Sequence, residues 1–204
     1  MITIIDYGVG NINAFLNIYK SLGVDVKIAQ NSSELNGATK LILPGVGHFD
    51  YAMNKFQNSG MIDEVSELVL IKTVPVLGIC VGMQMLATSS EEGNLNGLGW
   101  IDASVKKIDT SLLMQTTQLP HMGWNDVEVE KSNLLFKNIE ISPKFYFLHS
   151  YYFQCNQQDN VIASSTYGNT FTCAVNFNNI YGVQFHPEKS HQYGIKLLEN
   201  FSKL

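Results

Sequence analysis

The sequence predicts an α/β fold in three layers, on a mostly parallel sheet that gains antiparallel strands in the second half of the chain. Three observations point there. Short β-branched apolar runs alternate with helix-period stripes through the first half, the pattern of parallel strands joined by right-handed crossovers. In the second half, strand-like runs follow one another with few helices between them. Hydrophobic residues make up 45% of the 204 residues, enough for one sizeable core, so residues 1–204 are expected to form a single domain.

The elements follow in order. Ile2 to Ile5 reads as a buried strand ending at Asp6-Tyr7-Gly8. Ile12, Phe15, Leu16, Tyr19 and Leu22 recur at helical spacing, and Gly23 closes that helix as a C-cap. Val24 to Ala29 is a second strand, and Leu41 to Leu43 a third, stopped by Pro44-Gly45. Met61, Ile62, Val65, Leu68 and Val69 form another helical stripe. Val76 to Ile79 is a fourth strand, and Met83 to Ala87 is expected to be the start of a helix. Later strands are expected at Ile101 to Ile108, Val127 to Val129, Phe145 to Leu148, Val161 to Ser165 and Phe171 to Phe177. Asn178-Asn179 makes a two-residue hairpin turn into Ile180 to Phe185. A final helix carries Ile195, Leu198 and Phe201, with Leu197 and Leu204 beside them. The polar stretch from Asp109 to Gln118 reads as a loop.

Composition excludes several classes. Net charge is −5 with 13 Lys+Arg, so neither a nucleic-acid surface nor an anionic-membrane surface is expected. Charged residues make up only 15%, which suggests that a partner covers part of the surface. No charged region precedes the apolar opening Met1 to Ile5, so no signal peptide is expected. Val74 to Met83 is too short to span a bilayer. Cys80, Cys155 and Cys173 are odd in number and widely spaced, which favours a reducing cytoplasm over a disulfide framework. No metal site is expected, because the cysteines and the five histidines show no ligand spacing. Gly8-Val9-Gly10 invites a dinucleotide reading, but Asn13 stands where the third glycine belongs, and no cofactor is expected.

Three segments carry chemistry. Gly78-Ile79-Cys80-Val81-Gly82 has the form of a nucleophile elbow with cysteine in place of serine. A sharp strand-to-helix turn would leave Cys80 at a helix N-terminus, where thiolate is favoured. The alternative is a buried cysteine between two packing glycines. Pro187 biases His186 toward extended backbone, in which His186 and Glu188 point to one side as a base and its orienting carboxylate. The alternative there is a turn with solvated charges at Glu188 and Lys189. Combined with the cysteine elbow, the triad Cys80–His186–Glu188 prevails. Pro44-Gly45-Val46-Gly47 follows a strand beside the elbow and offers a backbone N–H from Val46 or Gly47 to a developing oxyanion, with Val81 as the other donor.

Gly78 to Gln84 together with His186-Pro187-Glu188 resembles the class I, triad-type glutamine amidotransferases. Nearly the whole chain resembles one branch of them, the glutaminase subunits of imidazole glycerol phosphate synthase. The supporting stretches are Asp6 to Asn11, Pro44 to Phe49, Ser90 to Glu92, Pro120 to Asn125, His149 to Tyr151 and Gln184 to Ser190. The resemblance implies that Cys80 attacks the side-chain amide of glutamine, that His186 moves the proton, and that Glu188 orients His186. It implies a glutamine pocket lined by Gly47, Gln84, Glu92, Ser150 and Tyr151. Read from the residues alone, Gln84 and Glu92 are ordinary polar residues, and Ser150 and Tyr151 end a strand.

The resemblance also implies a heterodimer. The partner would be a (β/α)8 barrel cyclase that receives the ammonia through a channel. Asn11, Trp124, Tyr146 and Lys189 match positions near that interface. Val81 and Gly97-Leu98-Gly99-Trp100 leave open a related branch that supplies ammonia for amidating bacterial surface sugars. A cysteine hydrolase of another type would place its acid well before the histidine, whereas Glu188 follows His186. A non-enzymatic scaffold would not need an intact triad.

Overall fold

The computed structural model describes residues 1–113, 119–140 and 142–204. In chain order the elements are β1 (Ile2–Ile5), α1 (Ile12–Ser21), β2 (Val26–Ala29), β3 (Lys40–Gly45), α2 (Phe49–Asn58), α3 (Ile62–Ser66), β4 (Val76–Cys80) and α4 (Val81–Gln84). There follow β5 (Ser89–Ser90), β6 (Ala103–Lys107), β7 (His121–Asp126), β8 (Glu128–Val129), β9 (Lys144–His149) and β10 (Tyr151–Cys155). The chain ends with β11 (Val161–Tyr167), β12 (Asn169–Phe177), β13 (Ile180–Val183) and α5 (His191–Ser202).

The main sheet runs β2-β1-β3-β4-β13-β12-β10-β6-β5, with β11 and β8 paired alongside β12. From β2 to β13 every neighbour is parallel. β12 and β10 then run antiparallel to their neighbours. The step from β1 to β2 goes one way along the sheet and the step from β3 to β4 goes the other. Right-handed crossovers therefore put α1 on one face and α2–α3 on the other, with α5 packed beside α1. This is the three-layer α/β arrangement that the alternation predicts. β7 and β9 form a separate antiparallel ribbon.

Apart from the half-buried Lys40 that opens β3, the central strands β1, β3 and β4 are buried throughout and read as largely apolar runs because both faces are covered. The turn between β12 and β13 closes through Asn178 at φ +53, a left-handed conformation that asparagine tolerates. The second strand begins at Val26 rather than Val24, because the Val24 N–H is spent closing α1 on the Tyr19 carbonyl at 3.0 Å. The stripe from Met61 to Val69 becomes α3 followed by a π turn over Glu67–Ile71. Four elements, α2, β5, β7 and β10, have no counterpart among the sequence expectations. Within the Asp109 to Gln118 stretch, Thr110–Leu112 forms a short 3-10 turn, and residues 114–118 lie outside the described residues.

The helix expected to start over Met83 to Ala87 instead begins at Val81 and ends at Gln84. The reason is competition for its carbonyls. Leu98, Gly99 and Ile101 donate their N–H groups to Met85, Ala87 and Leu86 at 2.7, 3.0 and 3.0 Å, so the segment pairs with a loop instead of continuing to coil.

Candidate active site

The parallel strands deliver the site. Gly45 at the end of β3 is in register with Cys80 at the end of β4, and Val183 of β13 with Ile79. Three strand ends therefore open onto one crevice, the usual ligand position in such sheets.

Cys80 sits at φ +56, ψ −115, a conformation costly for a residue with a Cβ. The glycines around it make that turn possible. A Cβ on Gly82 would stand 2.0 Å from the Leu43 carbonyl oxygen, and one on Gly45 would stand 2.3 Å from Gly82 N. β3 and α4 thus touch backbone to backbone, which only glycine permits at this distance. The Cys80 sulfur is 3.9 Å from the Leu148 carbonyl oxygen and 3.8 Å from Gln184 Nε2.

His186 follows β13. Its Nδ1 lies 2.9 Å from Glu188 Oε1, with both side chains almost fully buried. The pair forms differently from the extended expectation. Pro187–Lys189 is a single 3-10 turn with His186 at its N-cap, since proline at the first position presets the turn. Ser190, itself buried, fixes that turn to the β9 edge: its Oγ donates to the His186 carbonyl at 2.6 Å and accepts from Tyr146 N–H at 3.0 Å. Burial disfavours the imidazolium, but the Cys80 sulfur and the Glu188 carboxylate outweigh it and push His186 up to about 10. Glu188 holds Nδ1, which leaves Nε2 as the nitrogen free to exchange a proton with Cys80. The alternative of solvated charges fails for Glu188, whose side chain is 1% exposed.

A cavity of about 560 Å³ opens over the sulfur, within the range of small-molecule sites. It is lined by the expected pocket residues Gly47, Gln84, Glu92, Ser150 and Tyr151, by Val46 and Val81, and by the triad. Asn11 and Lys189, expected near a partner, line it too. Glu92 does more than face the cavity: its Oε2 accepts the Phe49 N–H at 2.8 Å, tying the pocket to the start of α2 just past Gly47. Gly47 takes φ +84. Ser150 and Tyr151 do not end a strand but mark the step from β9 to β10.

Trp124 and Tyr146 stand across the β7–β9 ribbon from each other, with ring centroids 6.2 Å apart. Lys189 Nζ lies 5.7 Å from the Tyr146 ring, and Trp124 stacks on His191 at 5.2 Å. With Met122 and Leu148 exposed nearby, this edge is an apolar rim beside the triad.

Sequence reasoning missed Tyr7, Gln184 and the His121–His149 pair. Tyr7 Oη donates to the Pro44 carbonyl at 2.6 Å. His121 Nδ1 and His149 Nε2 lie 3.0 Å apart, both rings buried. Burial pushes them down to about 4 and about 3, so both are neutral near pH 7. Gln184 carried a signal: it lies two residues before His186, on the same side of an extended segment. Among the described residues no group of three or more His, Cys, Asp or Glu could hold a metal ion.

Residues 3–204 match the family model described as "Glutamine amidotransferase class-I". Among curated relatives, the imidazole glycerol phosphate synthase subunits HisH of Leptospira borgpetersenii and Bdellovibrio bacteriovorus are 52% and 54% identical over 204 residues, covering all of both chains. The subunit HisH 2 of Methanococcus maripaludis is 47% identical, covering 100% of this chain and 99% of the relative. Among solved structures, a putative GMP synthase subunit from Thermoplasma acidophilum superposes with a TM-score of 0.73 at 28% identity, over 99% of this chain and 92% of that one. PurLQS from Thermotoga maritima shares the fold, with a TM-score of 0.73 at 18% identity over 98% and 96% of the two chains. With its cysteine elbow, its His-Glu turn and a family match over almost its full length, the chain belongs to the class I glutamine amidotransferases.

Proposed function

We propose that this protein is the glutaminase subunit of an imidazole glycerol phosphate synthase, hydrolysing glutamine to glutamate and ammonia for histidine biosynthesis in the cytoplasm. The observation that carries the chemistry is the buried His186–Glu188 pair at 2.9 Å beside Cys80 on its positive-φ turn. The pathway rests on relatives about half identical over the whole chain.

In this reading His186 takes the Cys80 proton, and the thiolate attacks the side-chain carbonyl carbon of glutamine. The C–S bond forms as the carbonyl electron pair moves to oxygen, where the N–H groups of Val81 and of Val46 or Gly47 receive the oxyanion. Collapse expels ammonia with the proton from His186, leaving a thioester. Water then attacks, His186 takes its proton, and the C–S bond breaks to release glutamate and the thiolate. Glu188 holds one imidazole orientation through both halves. Gln84, Glu92, Ser150 and Tyr151 bind the rest of the glutamine.

Ammonia is mostly protonated near neutral pH and is lost if it escapes to water. A (β/α)8 barrel cyclase docked on the rim of Asn11, Trp124, Tyr146 and Lys189 would form the heterodimer and receive ammonia through a channel. The test is glutamate release by the chain alone, with the barrel partner, and with partner plus acceptor ligand. The expected order is low, higher and highest, and a full rate in the isolated chain would overturn the partner reading. Production of imidazole glycerol phosphate by the pair separates this pathway from sugar amidation.

A further inference from the structure

Gln184 turns its side-chain amide toward the sulfur. That side chain is wholly buried, and Nε2 stands 3.8 Å from Cys80 Sγ. The orientation of the amide follows from its neighbours. Gln84 Nε2 is 3.1 Å from the Tyr151 carbonyl oxygen, which can only accept, so Gln84 presents its NH2 there. The same NH2 lies 3.0 Å from Gln184 and donates to its Oε1. With Oε1 so occupied, Gln184 must turn its own NH2 toward the sulfur.

The order continues away from the site. The Tyr151 carbonyl also receives His149 Nδ1–H at 2.8 Å. A neutral His149 then has a bare Nε2, which accepts His121 Nδ1–H at 3.0 Å. His121 Nε2 is left to accept from Asn125 Nδ2 at 3.3 Å, and Asn125 gives its other hydrogen to the Thr166 carbonyl at 2.8 Å. Both ends of this run are carbonyls that fix the proton direction, and the assignments meet without conflict. His121 is clamped between the Tyr167 and Phe147 rings, with centroids 4.1 and 5.0 Å away, so its ring cannot turn over freely.

We propose that Gln184 is a further catalytic residue, donating an N–H to the Cys80 sulfur, and that the ordered chain Asn125–His121–His149–Tyr151 carbonyl–Gln84 positions that donor. The sulfur has two polar neighbours with opposite preferences. The Leu148 carbonyl at 3.9 Å suits the thiol, whereas the Gln184 amide suits the thiolate. Gln184 therefore favours the attacking form before substrate arrives and receives the sulfur again when the thioester breaks. Among the described residues the other titratable groups around the sulfur are His186, backed by Glu188, and Tyr7, with Glu92, His149, Tyr151 and Lys189 lining the cavity above it. Calling the donor catalytic rests on the glutamine-hydrolysis reading, but the donor and its alignment do not.

The test is the rate of Cys80 alkylation by chloroacetamide, followed on the Cys80 peptide by mass spectrometry at pH 7 and pH 10, in the full chain with its partner. Gln184→Met keeps the bulk and removes the donor. The expected result is a pH 7 to pH 10 rate ratio about tenfold below wild type, the size of one hydrogen bond to a charged group. A merely structural role for Gln184 would scale both rates alike, and an unchanged ratio overturns the proposal. His149→Leu should lower the ratio as well, and His149→Asn, which keeps a donor for the Tyr151 carbonyl, should restore most of it. Should the Gln184 variant not fold, NMR of the side-chain amides decides in the native sequence: alkylating Cys80 should move the Gln184 NH2 signals far more than those of Gln154, and no movement overturns the donor. Absence of glutamate release by wild type would sink the glutaminase reading while leaving this ratio test intact.

Discussion

Tyr7 and Pro44 are joined by a buried hydrogen bond of 2.6 Å, from the phenol at the end of the first strand to the carbonyl that opens the Pro44–Gly47 loop. Glu92 holds the other side of that loop through Phe49 N–H. The segment offered to an oxyanion is thus held at Pro44 on one side and at Phe49 on the other, with Val46 and Gly47 between the two pins. Tyr7→Phe removes the first pin without changing shape. We expect kcat for glutamate release to fall about tenfold with KM within twofold, since a full oxyanion donor is worth about 10²–10³. Steady-state kinetics of the assembled enzyme check this, and an unchanged kcat would show that the pin plays no part in catalysis.

Cys80→Ala is expected to abolish hydrolysis while leaving partner binding intact. An electrophilic glutamine analogue should label Cys80 alone. Burial, with Asp102 adding to it, pushes the Cys155 thiol up to about 12, and burial pushes Cys173 well above its ordinary value, so neither offers thiolate near neutrality. Label found by peptide mapping on either of those two would refute the assignment.

His186→Ala should remove nearly all activity, because proton transfers serve both half-reactions. Glu188→Gln should cost less, since the amide oxygen can still accept from Nδ1–H. Its signature is in the pH profile. The carboxylate helps to hold His186 up near 10, so removing its charge lowers the pH at which the imidazolium deprotonates. The alkaline limb of activity should therefore shift toward neutral pH. An alkaline limb that stays in place would remove the carboxylate from the account.

His121 and His149 are held neutral, at about 4 and about 3, below the unfolded value of about 6.5. Between those values the unfolded chain binds more protons than the native one, so stability rises with pH there and falls as pH drops below about 6.5. Each imidazole contributes up to about 1.4 kcal/mol per pH unit in that window. Urea unfolding at pH 7.0, 5.5 and 4.5 should show this loss, and His121→Gln should flatten it. Equal slopes in both proteins would exclude the pair as its source.

The parallel half of the sheet was legible because its strands are buried on both faces and its turns are marked by Asp6, Gly23 and Pro44. The triad was legible because glycines flank Cys80 and because His186-Pro187-Glu188 is contiguous. The short α4 was not, since what ends it is a loop returning from Leu98 to Ile101. β7 was hidden for a different reason: its residues alternate as a strand's do, but the apolar Met122 and Trp124 lie on the exposed side and His121 on the buried one, the reverse of the pattern that identifies a half-buried strand. The chain from His121 to Gln184 joins β7, β9, β10, α4 and the residue after β13, and no local pattern announces contacts made only by tertiary pairing.

The backbone at Cys80 has a consequence for how such an enzyme persists. A residue with a Cβ at φ +56, ψ −115 gives up about 1–3 kcal/mol that glycine would keep. The hardiest form of this protein is therefore an inert one. A library sorted for heat resistance alone should return Cys80→Gly among its winners, and only a demand for turnover would keep sulfur at that position.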